Sequence, residues 1–408
     1  MGMIINIDEA LKQHSRYNVL REPLNKMLQD QQEAWERENP IDLIFGRSTM
    51  STFQETYSSN IGFAHAFAET SDYNVGPIFN TAEGFSMTYR TRTFQGGFII
   101  TQQTMEDGQV GKVKDDATAF LKRWHGDVVE YVMKSLEGAF GIATYWGDAS
   151  NGGRSKLLLQ SADTTDGDVD TAVKNPLFTS KHTIVKREGM TASDITAAHQ
   201  SNLYYVDIDL ASDDSAIIPK LADAINQVIT NMENYKDDNN KRTGVLGAKT
   251  IVAANNAHLK AALSTAMATK QFNRGETMAL NPGYDRAAVK TTPYLLDIAP
   301  TANGKGIFIV DKAYNSSNHG LEVTERIPLT LNAIETKRPY GVTYDGRQRF
   351  DVNCASWRGI AFLYIGDPVK DNVTWATPAD FTELNVGTAI STPVTVVNAS
   401  EVGSQVGS

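Results

Sequence analysis

The chain has 408 residues, 41% of them hydrophobic and 21% charged, with a formal net charge of −10 at pH 7. That length allows two or three domains, or one elongated subunit with excursions, and the composition is that of a globular protein with a sizeable core. The acidic balance and the lack of a long basic run argue against a protein that grips nucleic acid, though not against one that encloses it.

The single cysteine, Cys354, excludes an internal disulfide framework and a cysteine-based zinc site, and its strand-like surroundings mark it as a small core residue. The opening Met1–Asn6 lacks the basic start and apolar stretch of a signal peptide. The longest apolar runs, such as Phe98–Ile100 and Gly306–Val310, are too short to span a bilayer.

The first 45 residues are polar and helix-prone. Leu20, Leu24, Met27, Leu28 and Trp35 fall near one stripe of a helix, with Pro23 tolerable only in the first turn. The other faces are too polar to bury, so the segment reads as an arm that packs on another surface through Leu24, Leu28 and Trp35. From Val75 the pattern becomes extended. Phe85 to Phe94 alternates with period two and is rich in threonine and aromatics; Gly96-Gly97 interrupts it, and Phe98–Thr101 resumes. A long hairpin is expected with its tip at Asn80–Gly84 and the glycine pair as a bulge or bend; a tight turn at Gly96-Gly97 is the alternative. Arms of about ten residues would reach roughly 30 Å. A two-stranded ribbon is marginal alone in water, so this one needs a partner surface.

Ala117, Phe120, Leu121, Trp124, Val128, Tyr131, Val132 and Leu136 recur at helical spacing, which predicts an amphipathic helix over 114–137 ended by Gly138 and Gly141. Residues 147–202 read as a polar, turn-rich insertion. A strand is expected at Leu203–Leu210, then a helix capped by Asp213, Asp214 or Ser215 with the stripe Ile218, Leu221, Ile225, Val228, Ile229 and Met232. Lys249–Ala254 reads as a buried strand, and Asn255 as the cap of a third helix. Further strands are expected at Tyr294–Ile298, Gly306–Val310, Leu321–Ile327, Val342–Val352 and Gly359–Ile365, followed by a thin tail.

Motifs for catalysis or metal binding are scarce. Asp166, Asp168 and Asp170 have the spacing that opens a calcium loop, but Thr171 and Leu177 stand where that loop needs Gly and Glu, so a solvated turn is favoured. Asp207 and Asp209 lie on one face of a strand and read as solvent-facing. The seven histidines include no helical zinc pair, and neither a nucleophile elbow nor a phosphate-binding glycine loop is present. Lys337-Arg338, Arg347, Arg349 and Arg358 could form a phosphate site; ion pairing with carboxylates of the same or a neighbouring subunit is the favoured reading. Catalytic, cofactor and metal sites are all expected to be absent.

Several segments in order resemble the major capsid proteins of tailed phages, especially the Mu-like major head protein branch. Glu83-Gly84 followed by Phe94–Asp107 is similar to the family's E-loop returning into the start of its spine helix, and the stretch after Asp115 to that helix. Asn175–His182 resembles a stretch that follows the spine. Lys249–Leu259 resembles the strand and helix entering the A domain, and Gly346–Phe350 with Ser356–Gly359 the closing strands of the P domain. The likeness covers roughly residues 40–366. It implies an α+β, HK-97-type fold with an N-terminal arm (1–50), a discontinuous P domain (51–74, 108–146 and 331–366) and an E-loop (75–107). The insertion (147–202), an A domain with its connections (203–330) and a C-terminal extension (367–408) complete that division.

The same resemblance implies a subunit that self-assembles into hexamers and pentamers of an icosahedral virion shell around double-stranded DNA, built in the host cytoplasm. Portal and a separate scaffolding protein would be its partners, with a decoration protein as a further possible one, and no membrane. Phe85, Met87, Tyr89, Arg90, Arg92 and Phe94 of the E-loop, with the arm's Leu24, Leu28 and Trp35, are the expected subunit contacts. Some relatives weld subunits through an E-loop lysine; no lysine lies between Pro77 and Gly111 here, which predicts a shell without crosslinks. Two other readings stay open: an encapsulin-like compartment, and an α/β enzyme using Asp207, Asp209 and His258.

Overall fold

The computed structural model describes residues 3–7, 15–60, 83–107, 110–140, 161–163, 173–182, 199–210, 214–237, 241–274, 277–337 and 340–386. Its first strands are β1 (Ile4–Ile7), β2 (Gly46–Thr49), β3 (Gln54–Asn60), β4 (Glu83–Arg90), β5 (Arg92–Thr101), β6 (Ser161–Asp163), β7 (Val173–Asn175) and β8 (Leu203–Val206). They are followed by β9 (Lys249–Ala254), β10 (Gln271–Arg274), β11 (Thr277–Leu280), β12 (Ala287–Thr292), β13 (Gly306–Asp311), β14 (Leu321–Lys337), β15 (Tyr340–Cys354), β16 (Ile360–Ile365) and β17 (Thr382–Glu383). The helices are α1 (Ser15–Glu38), α2 (Gln102–Glu106), α3 (Val110–Lys134), α4 (Asp214–Glu233), α5 (Ala257–Ala268) and α6 (Lys312–Ser317). Helices and mixed sheets, with long antiparallel pairs at the centre of the first, make the architecture α+β.

Two sheets carry the chain. The first runs β1-β14-β15-β5, with β2 also on β14, and its centre is the long antiparallel pair β14 and β15. The second runs β12-β9-β13-β16-β8-β17. Its strands β13 and β16, Gly-Ile-Phe-Ile-Val-Asp and Ile-Ala-Phe-Leu-Tyr-Ile, are buried at every position, as expected of strands covered on both faces. Phe140, Phe178, Phe362 and Trp375 meet edge-on, tilted or stacked in its core at centroid separations of 4.5–5.8 Å, within the range where aromatic pairs add to simple burial.

On the first sheet, alternation decides which face is covered. Tyr344, Gln348 and Phe350 of β15 point to α3, where Tyr344 stacks on Phe98, Trp124 Nε1 donates to Gln348 Oε1 at 2.9 Å, and Phe350 meets Tyr131. A small core of Leu24 and Leu28 from α1, Val113, Ala117 and Leu121 from α3, and Ile100, Leu329, Leu331, Val342 and Tyr344 from the sheet fills this side.

Several expectations are corrected. Pro23 lies in the middle of α1 rather than in its first turn; lacking an N–H, it leaves the Val19 carbonyl without its intrahelical bond, a loss offset by burial of Leu24 and Leu28 just beyond it. Gly96-Gly97 is neither bulge nor turn, because β5 pairs with β15 in unbroken register from Arg92↔Phe350 to Thr101↔Gly341. A Cβ on Gly97 would stand 2.4 Å from the Tyr344 carbonyl oxygen, and one on Gly96 3.3 Å from the Trp124 ring, so the pair lets β5 lie flush. Tyr294–Ile298 is not a strand: Pro293 opens a 3-10 turn over Pro293–Asp297. The third helix is capped by Asn256, whose side chain accepts from the Leu259 N–H at 3.1 Å, and not by Asn255.

The strands also divide differently from the implied domains. β16 is central to the second sheet rather than the first, and β14 begins at Leu321, before residue 331. Leu177, Phe178 and His182 of the expected polar insertion are core residues. Trp375, Phe381 and Leu384 are buried and β17 pairs with β8, so the expected tail is part of the second sheet's core as far as residue 386.

Candidate assembly interface

β3 and β4 form a two-stranded sheet of their own, antiparallel from Gln54↔Arg90 to Asn60↔Glu83. Among the described residues the strand opposite β4 is β3; of the expected extended segment from Val75 and its expected tip at Asn80–Gly84, the residues before Glu83 lie outside them. Phe85 and Met87 lie on β4, Met87 opposite Tyr57 in register. Arg90 is exposed and its Nε donates to Gln54 Oε1 at 3.1 Å.

The root of this ribbon is fastened to the first sheet. Tyr89 is fully buried and its hydroxyl donates to the His319 carbonyl at 3.2 Å. The Tyr57 ring lies 4.6 Å from Tyr89 and 4.2 Å from His319. Burial first, then the neighbouring Glu55, pushes the Tyr57 hydroxyl up to about 12; burial lifts Tyr89 well above the ordinary tyrosine value. Glu322, almost fully buried and 3.5 Å from His319 Nδ1, is likewise held above the usual carboxylate range by desolvation.

Other expected contact residues are engaged within their own chain. Arg92 Nε stands 3.6 Å from Asp351 Oδ2, a carboxylate that also accepts from the Tyr131 hydroxyl at 3.0 Å. Phe94 packs between Tyr131 and Phe350, at 4.9 and 4.7 Å. Leu24 and Leu28 are 2% and 0% exposed, and Trp35 stacks on His125 at 4.2 Å while Gln32 Oε1 sits 2.8 Å from His125 Nε2. Side chains already removed from water have nothing further to gain from a neighbour. Tyr89, Leu24 and Leu28 are thus anchored within their own chain. The stripe on α1 is long enough to fill the groove over α3, where Ala117 leaves room, and a sequence pattern does not say which copy supplies that groove.

The three late arginines separate. Arg358, nearly buried, donates from Nε to the Lys236 carbonyl at 2.8 Å and lies over the Trp357 ring at 4.9 Å. Arg347 and Arg349 sit on the face of β15 turned away from α3, Arg347 exposed and Arg349 over the Phe53 ring at 5.5 Å. Neither has the expected carboxylate partner among the described residues. That face continues across the sheet through Thr93, Gln95, Gly97 and Ile99 of β5 and Asn332 and Ile334 of β14. Ile99 and Ile334 are 37% and 43% exposed.

The residues of the enzyme reading do not converge. Asp207 is exposed after β8 and pairs with Lys370 at 2.7 Å, Asp209 is exposed beside it, and His258 is exposed at the start of α5. β8 and β9, which lead to them, are three strand positions apart in the second sheet, about 14 Å. No group of three or more His, Cys, Asp or Glu that could hold a metal occurs among the described residues. A cleft of about 770 Å³ between α1, α3 and Thr291–Tyr294 is lined by Trp35, Asn39, Lys122, His125, Thr292 and Lys312 among others. Its histidine is already engaged by Gln32 and Trp35, and burial holds it down to about 4.

Two buried polar clusters escaped the sequence reading. Lys249 Nζ donates to Asp311 Oδ2 at 2.8 Å and to the carbonyls of Val245 and Gly247. His182 stacks on Trp357 at 3.9 Å and its Nε2 lies 3.1 Å from both the Leu177 carbonyl and Asn202 Oδ1. A lysine opening an otherwise apolar strand was the one available signal for the first; the second joins residues too far apart in sequence to leave any.

No protein-family model and no curated protein matches the chain. Among solved structures it is similar to that of Mycobacterium phage Patience, at 13% identity over 90% of this chain and 93% of that one, with a TM-score of 0.42. It is similar to the asymmetric unit of the bacteriophage PhiM1 mature capsid, at 10% identity over 79% and 85% of the two chains, TM-score 0.41. A virus-like particle from Pyrococcus furiosus is similar at 8% identity over 84% and 98%, TM-score 0.39.

Proposed function

We propose that this chain is a shell-forming structural subunit, the major capsid (head) protein of a tailed phage, which assembles with copies of itself around the genome. The observation that carries this reading is a fold with two surfaces left to be covered. The β3–β4 ribbon forms a separate two-stranded sheet, a construction marginal by itself in water. The first sheet is packed by helices on one face, and on the other it exposes Ile99 and Ile334 beside arginines that have no carboxylate partner among the described residues. Copies of one chain arranged head to tail in rings would cover such surfaces repeatedly until the ring closes.

Sedimentation and negative-stain microscopy of the purified chain test this. Closed particles, or rings of five and six, are expected; a compact monomer or dimer at every concentration refutes it, and tubes would make it a different virion part. DNA inside particles from infected cells favours the phage head over a cargo compartment. Replacing Phe85 and Met87 with serine should then leave the subunit folded and block assembly. Tyr89 is left untouched because it anchors the subunit's own core.

A further inference from the structure

β14 carries two irregularities against β15. Glu325 lies opposite Phe350, Ile327 opposite Arg349 and Thr330 opposite Arg347, so β14 has one extra residue in each interval. Bulges of this kind re-aim side chains, and the extra residue of the first is Arg326. Its charge reaches the pair on β15: burial first, then Arg326 and Arg347, holds the Arg349 guanidinium below its usual range. Three arginines are thereby gathered at one end of the uncovered sheet face. The Nε–H of Arg349 is buried without an acceptor. No carboxylate pairs with any of the three among the described residues. The nearest acids along the strand are Asp345, two residues from Arg347, and Asp351, two residues from Arg349, each one strand repeat or about 7 Å away; Asp351 is already held by Arg92 and Tyr131.

From this cluster we infer a docking site for a carboxylate-bearing segment of a second copy of this chain. The inference rests on the shell reading. Guanidinium groups bind carboxylates in paired hydrogen bonds and are enriched at protein interfaces. A copy of this chain brings 48 acidic side chains against 38 basic ones, so charge complementarity favours it as the occupant. Ile99 and Ile334, exposed on the same face, give the docked segment apolar surface to cover as well. A phosphate backbone would answer the charges but not the isoleucines, and the acidic remainder of the subunit would repel it.

The test uses the full chain. The Arg347→Gln/Arg349→Gln variant should melt within a few degrees of the unsubstituted protein and require roughly tenfold higher concentration to form particles. Particles at the unsubstituted yield and threshold overturn the inference while leaving the shell reading intact; an unsubstituted chain that never assembles overturns both. Normal assembly with loss of packaged nucleic acid, read from the ultraviolet absorbance ratio, would assign the patch to phosphate and also overturn it. If the glutamine variant fails to fold, Arg347→Lys/Arg349→Lys places amines there instead. Zero-length carbodiimide coupling in mixed isotope-labelled particles should then join position 347 or 349 to an Asp or Glu of a different copy. Crosslinks confined to one copy, or none, refute the proposal.

Discussion

Replacing Leu28 with alanine separates an arm fastened to its own subunit from one lodged on a neighbour. Leu28 is fully buried among Leu24, Ala117, Leu121 and the first sheet. The substitution removes three carbons, about 2.4 kcal/mol of transfer free energy at about 0.8 kcal/mol each. The cavity left behind raises such losses to about 2–5 kcal/mol, depending on how far the site collapses. α1 is solvated along its other faces and held by few apolar contacts, so it can settle partway, and a loss of about 3 kcal/mol is expected. Urea denaturation of dilute, dissociated subunit would show it as a lower midpoint at unchanged slope, and hydrogen exchange would rise across residues 15–38. A change below about 0.5 kcal/mol in the free subunit, with the arm protected only in particles, would refute intrachain packing of α1.

Gly97→Ala should cost about 1–3 kcal/mol in thermal denaturation, because its Cβ would meet the Tyr344 backbone oxygen at 2.4 Å, whereas Gly96→Ala, facing the Trp124 ring at 3.3 Å, should cost less. Burial lowers His125 from 6.5 to about 4 and His182 from 6.5 to about 3, so each takes up a proton more readily when unfolded. The stability they contribute is then complete above about pH 6.5 and lost as pH falls toward about 4 and about 3. Urea midpoints should accordingly drop between pH 7 and pH 5, and drop less in His125→Gln; equal slopes in both proteins would exclude His125 as a source. With no lysine between Pro77 and Gly111, particles boiled in detergent should run as a single band at 44.7 kDa, and a ladder would contradict that expectation.

Elements whose periodicity runs for many residues were legible in advance. The stripes of α3 and α4 and the apolar runs of β9, β13 and β16 depend on each segment's own pattern of burial. The hairpin was harder, because the pattern of Phe85–Phe94 identifies a strand but says nothing about its partner. β4 takes β3, some 30 residues earlier in the chain, and β5 takes β15, about 250 residues later. The glycine pair looked like an interruption because a missing Cβ signals either a turn or a close approach, and only the Tyr344 carbonyl behind Gly97 decides between them.

The contact residues divide along the same line. An apolar stripe on a polar helix states that Leu24 and Leu28 will be buried, and they are; whether the covering surface belongs to the same copy is not written in the stripe. Arg347 and Arg349 share a strand face by simple alternation, which the sequence determines. That Arg326 joins them follows from two extra residues in a strand paired with theirs, a register set by the packing of the whole sheet. By itself the sequence determined which stripes of the long regular elements leave water, since those follow from local period and hydrophobicity; the burial of Phe178, His182 and Trp375 did not show in it. Which surface receives them, and which charges end up side by side, came only from the tertiary structure, because both depend on contacts between segments hundreds of residues apart.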